Sequence, residues 1–130
     1  MERRTVLVVE DDADCAEVLA DAIAARGHRA LIAADEAALR TTLERESPDL
    51  VLVDGLLRGA DGIELVARLR EGPLAGVDVV LHTGRPLAEV VGPARAAGIR
   101  RILPKPLALD ALYEAVEAPL GAPRRIAAGV

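Results

Sequence analysis

The sequence predicts an α/β fold in which five strands form one parallel sheet and five helices cover its faces. Two observations support this prediction. Short aliphatic runs alternate along the 130 residues with longer stretches in which apolar residues recur every three or four positions. The composition is 52% hydrophobic but only 1% aromatic, which is typical of aliphatic strands in a sheet that is covered on both faces.

Five runs are predicted as strands. Four of them are strongly aliphatic, whereas the second is weaker. The predicted strands are residues 6–9, 29–33, 50–53, 77–81 and 99–103. Strict alternation with helices implies right-handed crossovers and a parallel sheet.

A stretch with helical spacing follows each predicted strand. In the first helix, Cys15 is spaced with Leu19, so we expect Cys15 to pack into the core. The fourth stretch, residues 86–97, is a poorer helix because Gly92 and Pro93 interrupt it. Glycines mark three of the predicted helix ends: Gly27, Gly72 and Gly98.

Length and composition predict one domain over residues 1–118, followed by a flexible tail or linker at 119–130 that is rich in Pro, Gly and Ala. The net charge of −5 argues against binding to nucleic acid or anionic lipid. Cys15 is the only cysteine, which excludes an internal disulfide and is consistent with the cytoplasm. The first apolar run ends in acids, so it is neither a signal peptide nor a membrane span.

Polar side chains follow the carboxyl ends of four predicted strands. In an open parallel sheet, ligands bind beyond these ends where the strand order reverses, which in the flavodoxin-like order 2-1-3-4-5 lies between strands 1 and 3. The residues are Glu10, Asp11 and Asp12 after the first strand, Asp54 after the third, Thr83 after the fourth and Lys105 after the fifth. We therefore expect their side chains to meet.

Carboxylates gathered in a crevice repel one another unless a cation joins them. Mg2+ prefers oxygen ligands and keeps several waters, so its open positions can accept phosphate oxygens. Lys105 would supply a positive charge and Thr83 a hydroxyl for an incoming phosphoryl group. Asp54 is the expected nucleophile, because a carboxylate can form an aspartyl phosphate. The pattern predicts phosphoryl transfer that depends on positioning and charge stabilisation.

Four segments together resemble the receiver family of two-component response regulators, and the resemblance runs from about residue 5 to residue 118. They are VLVVEDD at 6–12, LVLVDGLLRGADG at 50–62, VVLHTG at 79–84 and ILPKPL at 102–107. The resemblance implies a flavodoxin-like three-layer sandwich with the sheet order 2-1-3-4-5. It also implies a signalling phosphoacceptor with self-catalysed phosphorylation and dephosphorylation, rather than a metabolic enzyme.

The resemblance assigns a role to each matching residue. For the metal, it implies Asp11 as a direct Mg2+ ligand, Glu10 as a ligand through water, and Asp54 and the backbone carbonyl of Leu56 as further ligands.

For the chemistry, the resemblance implies Asp54 as phosphoacceptor, Thr83 as switch hydroxyl and Lys105 as the cation that pairs with phosphate. Asp61 and Gly62 resemble the pair that opens the third helix, and the bond from Lys105 to Pro106 resembles one that is often cis in the family.

Three residues depart from the family pattern. Ile102 stands where many receivers have Phe or Tyr, so the usual aromatic switch is missing. Arg58 replaces a common proline, and Pro104 removes an N–H beside the lysine. Neither of these two touches the acceptor chemistry directly.

The resemblance also implies partners. They are a histidine kinase or histidine phosphotransfer protein as phosphodonor and a downstream protein target, with a homodimer left open. The face formed by the fourth helix, fifth strand and fifth helix is the docking surface expected by analogy.

Simpler interpretations exist for the same residues. Asp54 alone would suit a solvated acid after a strand, and Thr83 alone would suit a strand residue. Acids after the first strand would suit a helix cap, a role that we assign to Asp12. His82 is predicted as a packed residue rather than a phosphohistidine or metal ligand, and His28 as a solvated one.

Two other functions remain as alternatives to phosphoryl acceptance. The first is a receiver-like interaction or dimerisation module that works without phosphorylation, and the loss of an aromatic at Ile102 supports it. The second is a nucleotide binder. It is disfavoured because the loop EDDADC after the first strand is acidic and has no glycine for a pyrophosphate.

Overall fold

The computed structural model of the protein describes residues 2–119, which contain seven strands and five helices. Five of the strands form the main sheet, and two very short ones, β4 and β5, form a separate antiparallel pair. In chain order the elements are β1 (Thr5–Val9), α1 (Ala13–Ala25), β2 (Arg29–Ala33), α2 (Glu36–Arg45), β3 (Leu50–Asp54), β4 (Leu56–Leu57), β5 (Ala60–Asp61), α3 (Gly62–Leu69), β6 (Asp78–Thr83), α4 (Leu87–Ala96), β7 (Arg101–Pro104) and α5 (Leu109–Glu117).

The main sheet is parallel throughout and has the order β2-β1-β3-β6-β7. Because β6 and β7 are its fourth and fifth strands, this is the predicted order 2-1-3-4-5. The flavodoxin-like α/β prediction is therefore confirmed. The order reverses between β1 and β3, so the crevice lies at their carboxyl ends.

The fifth strand begins two residues later than predicted. Gly98 has a φ of +75°, and the N–H of Ile99 donates to the carbonyl of Ala94 at 3.0 Å. Ile99 is thus part of the C-terminal cap of α4, although its side chain is buried. The fourth strand is displaced in the same direction, to Asp78–Thr83 instead of 77–81, because His82 and Thr83 still pair with β7.

Alternate strand residues pack on opposite sides of the sheet. Leu7 belongs to the first core cluster, which lies under α2, α3 and α4 and includes Leu65. Val8 belongs to the second core cluster, which lies under α1 and α5 and includes Ile23 and Leu112. Burial on both faces explains why residues 6–9 and 50–53, in the central strands β1 and β3, are all aliphatic.

Aspartates cap the N-termini of α1, α2 and α3. Asp12 accepts a hydrogen bond from the N–H of Cys15 at 3.0 Å, as predicted for this cap. Asp61 accepts from the N–H groups of Ile63 and Glu64 and so begins α3 at Gly62. A Cβ on Gly62 would lie 2.1 Å from the backbone oxygen of Asp54, so only glycine fits there.

The fourth helix is continuous from Leu87 to Ala96, although Pro93 lies within it. We expected a poorer helix. The buried side chains of Val90 and Ala94 anchor this helix on the first core cluster, so packing overrides the low propensity of Gly92 and Pro93.

Two predictions about burial are wrong. Cys15 is exposed, because the buried face of α1 is formed by Ala16, Leu19 and Ile23. His28 is buried rather than solvated. Its Nδ1 accepts from the N–H of Arg4 at 3.1 Å, and its Nε2 lies 3.0 Å from a carboxylate oxygen of Glu117, so contacts with β1 and α5 replace water.

The predicted tail at 119–130 lies outside the described residues except for Pro119, so the domain end at 118 stays a prediction. No helix in the described part of the chain has both the length and the apolar character that crossing a membrane requires.

Candidate functional site

Three carboxylates meet at the carboxyl edge of the sheet. Glu10 follows β1 and Asp54 ends β3, and these strands pair in parallel with Val9 opposite Val53. One ligand oxygen from each of Glu10, Asp11 and Asp54 lies within 4.8 Å of the others. Glu10 and Asp54 are buried, whereas Asp11 is half-buried. The strand order thus brings together the acids that follow the first and third strands.

Lys105 reaches the same cluster from the end of β7. Its Nζ lies 2.9 Å from Oδ1 of Asp54. The backbone N–H of Lys105 donates to the carbonyl of Thr83 at 2.9 Å, and the Lys105–Pro106 peptide bond is cis. The backbone at the end of the sheet therefore holds Lys105 beside Asp54, where the sequence predicted a cation.

Backbone groups also surround Asp54. The N–H of Leu56 donates to Oδ1 of Asp54 at 3.0 Å, while the side chain of Leu56 is 74% exposed at the mouth of the site. A Cβ on Gly55 would lie 2.9 Å from Oγ1 of Thr83. The absence of a side chain at Gly55 therefore lets the buried Thr83 hydroxyl approach the backbone that follows Asp54. That hydroxyl accepts from the N–H of Arg85 at 3.1 Å.

The buried carboxyl groups of Glu10 and Asp54 shift each other's pKa. Burial, followed by the hydrogen bond to Asp54 and the charge of Asp54, raises the pKa of Glu10 to about 7. Burial also acts to raise the pKa of Asp54, but hydrogen bonds from the Leu56 N–H, Glu10 and Lys105 outweigh it and hold the pKa of Asp54 below its ordinary value. Below about pH 7, Glu10 therefore carries a proton while Asp54 keeps its negative charge.

Arginines contact the two outer acids of the site. The N–H of Arg58 donates to Oδ2 of Asp11 at 2.9 Å, and its guanidinium Nε lies 3.8 Å from the same oxygen. The guanidinium of Arg85 lies 2.9 Å from Oδ2 of Asp61, which also caps α3. Each of these contacts connects two different loops, and neither contact was predicted from the sequence. No local sequence signal identifies them, because their partners are 47 and 24 residues away.

The donor set fits a hard divalent cation. Glu10, Asp11 and Asp54 each offer a carboxylate oxygen, so every ligand atom of this cluster is oxygen. A cation there would also offset the charge of Asp54, which together with burial raises the pKa of Glu10. This cluster could hold a metal ion.

Comparison with known proteins agrees with this sheet order. A family model described as "Response regulator receiver domain" matches residues 6–117. The chain belongs to the response regulator receiver domain family. The resemblance drawn from the four sequence segments is confirmed, and the chain is placed in two-component signalling.

Curated relatives of this receiver domain are longer proteins. The phosphate regulon transcriptional regulatory protein PhoB of Pseudomonas aeruginosa is 35% identical over 83 residues, which cover 63% of this chain and 36% of PhoB. The DNA-binding response regulator MtrA of Mycobacterium tuberculosis is 35% identical over 83 residues, which cover 64% of this chain and 36% of MtrA. The sensor histidine kinase AruS of Pseudomonas aeruginosa is 32% identical over 114 residues, which cover 85% of this chain and 11% of AruS. The alignments thus span about a third of PhoB and MtrA.

Solved structures share the receiver fold. A response regulator receiver protein from Pseudomonas putida superposes with a TM-score of 0.81 at 26% identity, covering 89% of this chain and 97% of that one. A CheY-like receiver domain protein from Methanospirillum hungatei superposes with a TM-score of 0.78 at 24% identity, covering 88% and 91%. The second likeness supports the fold alone.

Ile102 occupies the receiver position at which the resemblance places an aromatic ring. It is 1% exposed and belongs to the first core cluster. An aliphatic side chain without a polar tip is stable in this position, so the receiver has no ring there that could alternate between core and solvent.

Proposed function

We propose that this receiver domain accepts a phosphoryl group from a phosphohistidine onto Asp54 in an Mg2+-dependent reaction. The donor would be a histidine kinase or a histidine phosphotransfer protein. The observation that carries the proposal is the environment of Asp54, a buried carboxylate held 2.9 Å from the Lys105 ammonium and beside two further acids. Location in the cytoplasm, expected from the lone cysteine, stays a prediction.

In the proposed reaction, an oxygen of Asp54 forms a bond to phosphorus while the bond between phosphorus and the imidazole nitrogen of the donor breaks. The bonding electron pair returns to the donor imidazole. Lys105 would move its positive charge from the carboxylate to a phosphoryl oxygen. When bound, Mg2+ would neutralise charge on the carboxylates and the phosphoryl oxygens.

Thr83 would convert the modification into altered partner binding. Its hydroxyl is buried beside Gly55 and now accepts a hydrogen bond from the Arg85 N–H. A hydroxyl can donate and accept at once, so it can turn its proton toward a phosphoryl oxygen on Asp54. A shift of Thr83 would change the β6–α4 loop, which we propose as the element that a downstream protein target or a second copy senses.

A small phosphodonor tests the proposal directly. Incubation with acetyl phosphate and Mg2+ should add one phosphoryl group by intact mass spectrometry, and the gain should vanish in Asp54→Asn. Asp35→Asn, which changes a cap of α2 away from the site, should behave as the parent. A gain that persists in Asp54→Asn, or none in the parent with a cognate kinase present, would refute the proposal.

A receiver-like interaction module that works without phosphorylation is the second candidate. Ile102 in the core favours it, because the receiver lacks the aromatic group usually found at this position. Analytical ultracentrifugation of the parent and Asp54→Asn distinguishes the two functions. Equal self-association of both proteins, insensitive to acetyl phosphate, would favour the interaction module.

A further inference from the structure

A cavity of about 300 Å³ lies on the side of the sheet that α1 and α5 cover. It opens between α1 and the segment that joins β7 to α5. Apolar side chains form most of its wall, together with Asp14, Cys15 and His82. The apolar residues are Val18, Leu19, Ala22, Leu107 and Leu109. Its size lies at the lower end of the range for small-molecule sites.

His82 is the buried polar side chain among the residues that line this cavity. It is 9% exposed, and neither ring nitrogen has a hydrogen-bond partner among residues 2–119. It lies on the sheet face that α1 and α5 cover, since Val80, two residues earlier, belongs to the second core cluster. The sequence predicted a packed histidine, but packing here leaves a buried imidazole without the partner that such groups normally have.

The charges around the cavity restrict its ligand. Of the described residues that line it, Asp14 is the one that is charged at neutral pH. A carboxylate or phosphate ligand would be repelled there, and the apolar walls would not solvate a cation. A neutral imidazole donates through one nitrogen and accepts through the other, which suits a hydroxyl group.

We propose that this cavity binds a small, neutral, mainly apolar molecule with one hydroxyl group, which pairs with the ring of His82. Phenol is the simplest probe of this class. The site is separate from the proposed function, because binding there requires neither Mg2+ nor a phosphoryl group. It does adjoin the acceptor, since His82 pairs with Asp54 in the register of β3 and β6.

Cys15 provides a direct readout of occupancy. It is the only cysteine of the chain, it is exposed, and it lines the cavity. Phenol should therefore slow the alkylation of Cys15 by iodoacetamide in a saturable way. In parallel, phenol should shift the ring signals of His82 in NMR spectra, while those of His28, the other histidine, should stay unchanged.

Toluene tests the hydroxyl, because it has the same size but cannot pair with His82. We expect toluene to bind roughly tenfold more weakly than phenol, the factor that one net hydrogen bond implies. In His82→Leu the preference for phenol should be lost, because its hydroxyl then has no partner in an apolar site. Equal binding of both probes to the parent, or a phenol preference that persists in His82→Leu, would overturn the proposal, as would the absence of saturable protection.

Two further variants test the site even if His82→Leu does not fold. Val18 is 66% exposed, so Val18→Trp can fill the cavity from its rim, and it should abolish protection of Cys15 by phenol. Unchanged protection in this variant would refute the site. Asp54→Asn should bind phenol like the parent, so that failure of phosphoryl transfer and failure of this cavity are separate outcomes.

Discussion

The ammonium nitrogen of Lys105 lies 2.9 Å from Oδ1 of Asp54, although 51 positions separate the two residues. They end strands that are not neighbours, because β6 lies between β3 and β7. Lys105 therefore reaches past the end of β6, beside Gly84, where an added Cβ would lie 3.8 Å from the lysine side chain. With the hydrogen bonds from the Leu56 N–H and Glu10, Lys105 holds the pKa of Asp54 below its ordinary value, and it places a cation beside the proposed phosphoacceptor.

Removing this cation should slow phosphorylation far more than it affects stability. In Lys105→Ala we expect the rate with acetyl phosphate to fall by about 10²-fold, since one lost charge-stabilising group has an effect of this size. The free energy of unfolding should change by only about 1 kcal/mol, because the lysine side chain is 37% exposed. Stopped-time mass spectrometry and urea unfolding measure the two quantities. Lys105→Arg retains the charge and should fall in between, whereas an unchanged rate in Lys105→Ala would contradict the role of the cation.

Mg2+ affinity should depend on pH near neutrality. The pKa of Glu10 is raised to about 7, so below that pH the carboxyl group holds a proton that must leave for it to act as a ligand. Calorimetry should show affinity falling by up to about tenfold per pH unit below pH 7, with proton release on binding. Glu10→Gln should flatten this dependence. A parent protein with equal affinity at pH 6 and pH 8 would exclude Glu10 as a titrating ligand.

The same pKa predicts a pH-dependent stability difference in metal-free protein. Because the folded pKa of Glu10 is raised from 4.5 to about 7, its contribution to stability is fully present below about pH 4.5 and is lost as pH rises through 7. Between pH 6 and pH 8 the parent should therefore lose about 1 kcal/mol relative to Glu10→Gln. Urea unfolding of both proteins in the presence of a chelator measures this difference, and parallel pH profiles would argue against the shift.

The loops at the mouth of the site should set the lifetime of a phosphorylated form. Arg85 pairs with Asp61 across this mouth, and the exposed Leu56 side chain stands beside it. Both Arg85→Ala and Leu56→Asn should admit or orient water and shorten the phosphoryl lifetime severalfold. Loss of the phosphoryl mass over time measures the decay. Arg68→Ala, which removes an ion pair with Glu36 on α2, is the control, and unchanged decay in both site variants would end this hypothesis.

Gly62 should tolerate no side chain. In Gly62→Ala, the new Cβ would lie 2.1 Å from the Asp54 backbone oxygen, so the end of β3 and the start of α3 must move apart. We expect a loss of about 2–4 kcal/mol in the free energy of unfolding. Gly92→Ala is the matched control, because its Cβ would meet nothing within 4 Å and the site is inside α4. That variant should gain about 0.5–1 kcal/mol. Equal effects of the two substitutions would contradict the steric argument.

The sheet could be predicted because its signals are local. Aliphatic runs that are buried on both faces need no partner to be recognised, and alternation with helices determines handedness and parallel pairing. Boundaries were less accurate where two elements compete for one residue. Ile99 has the character of a strand residue, yet its N–H completes the cap of α4.

Side-chain burial was predicted less well than strand order. Cys15 has helical spacing with Leu19, but a shift of one residue puts Ala16 on the buried face instead. His28 lies at the edge of a weak strand, yet it is buried because Glu117, from the far end of the chain, packs against it. Such contacts depend on which residues from distant parts of the chain pack nearby, and no local pattern in the sequence contains that information.

The sequence by itself determined the α/β class, the parallel pairing of the strands and the acids that follow the first and third strands, because aliphatic runs and the residues that end them are local features. The strand order followed from the resemblance to the receiver family. Only the tertiary structure decided that burial and Asp54 raise the pKa of Glu10, and which loops Arg58 and Arg85 join. It also decided that His82 lines a cavity without a hydrogen-bond partner among the described residues. These properties depend on distances of a few ångströms between residues far apart in the chain. Such distances arise only when the helices have packed on the sheet.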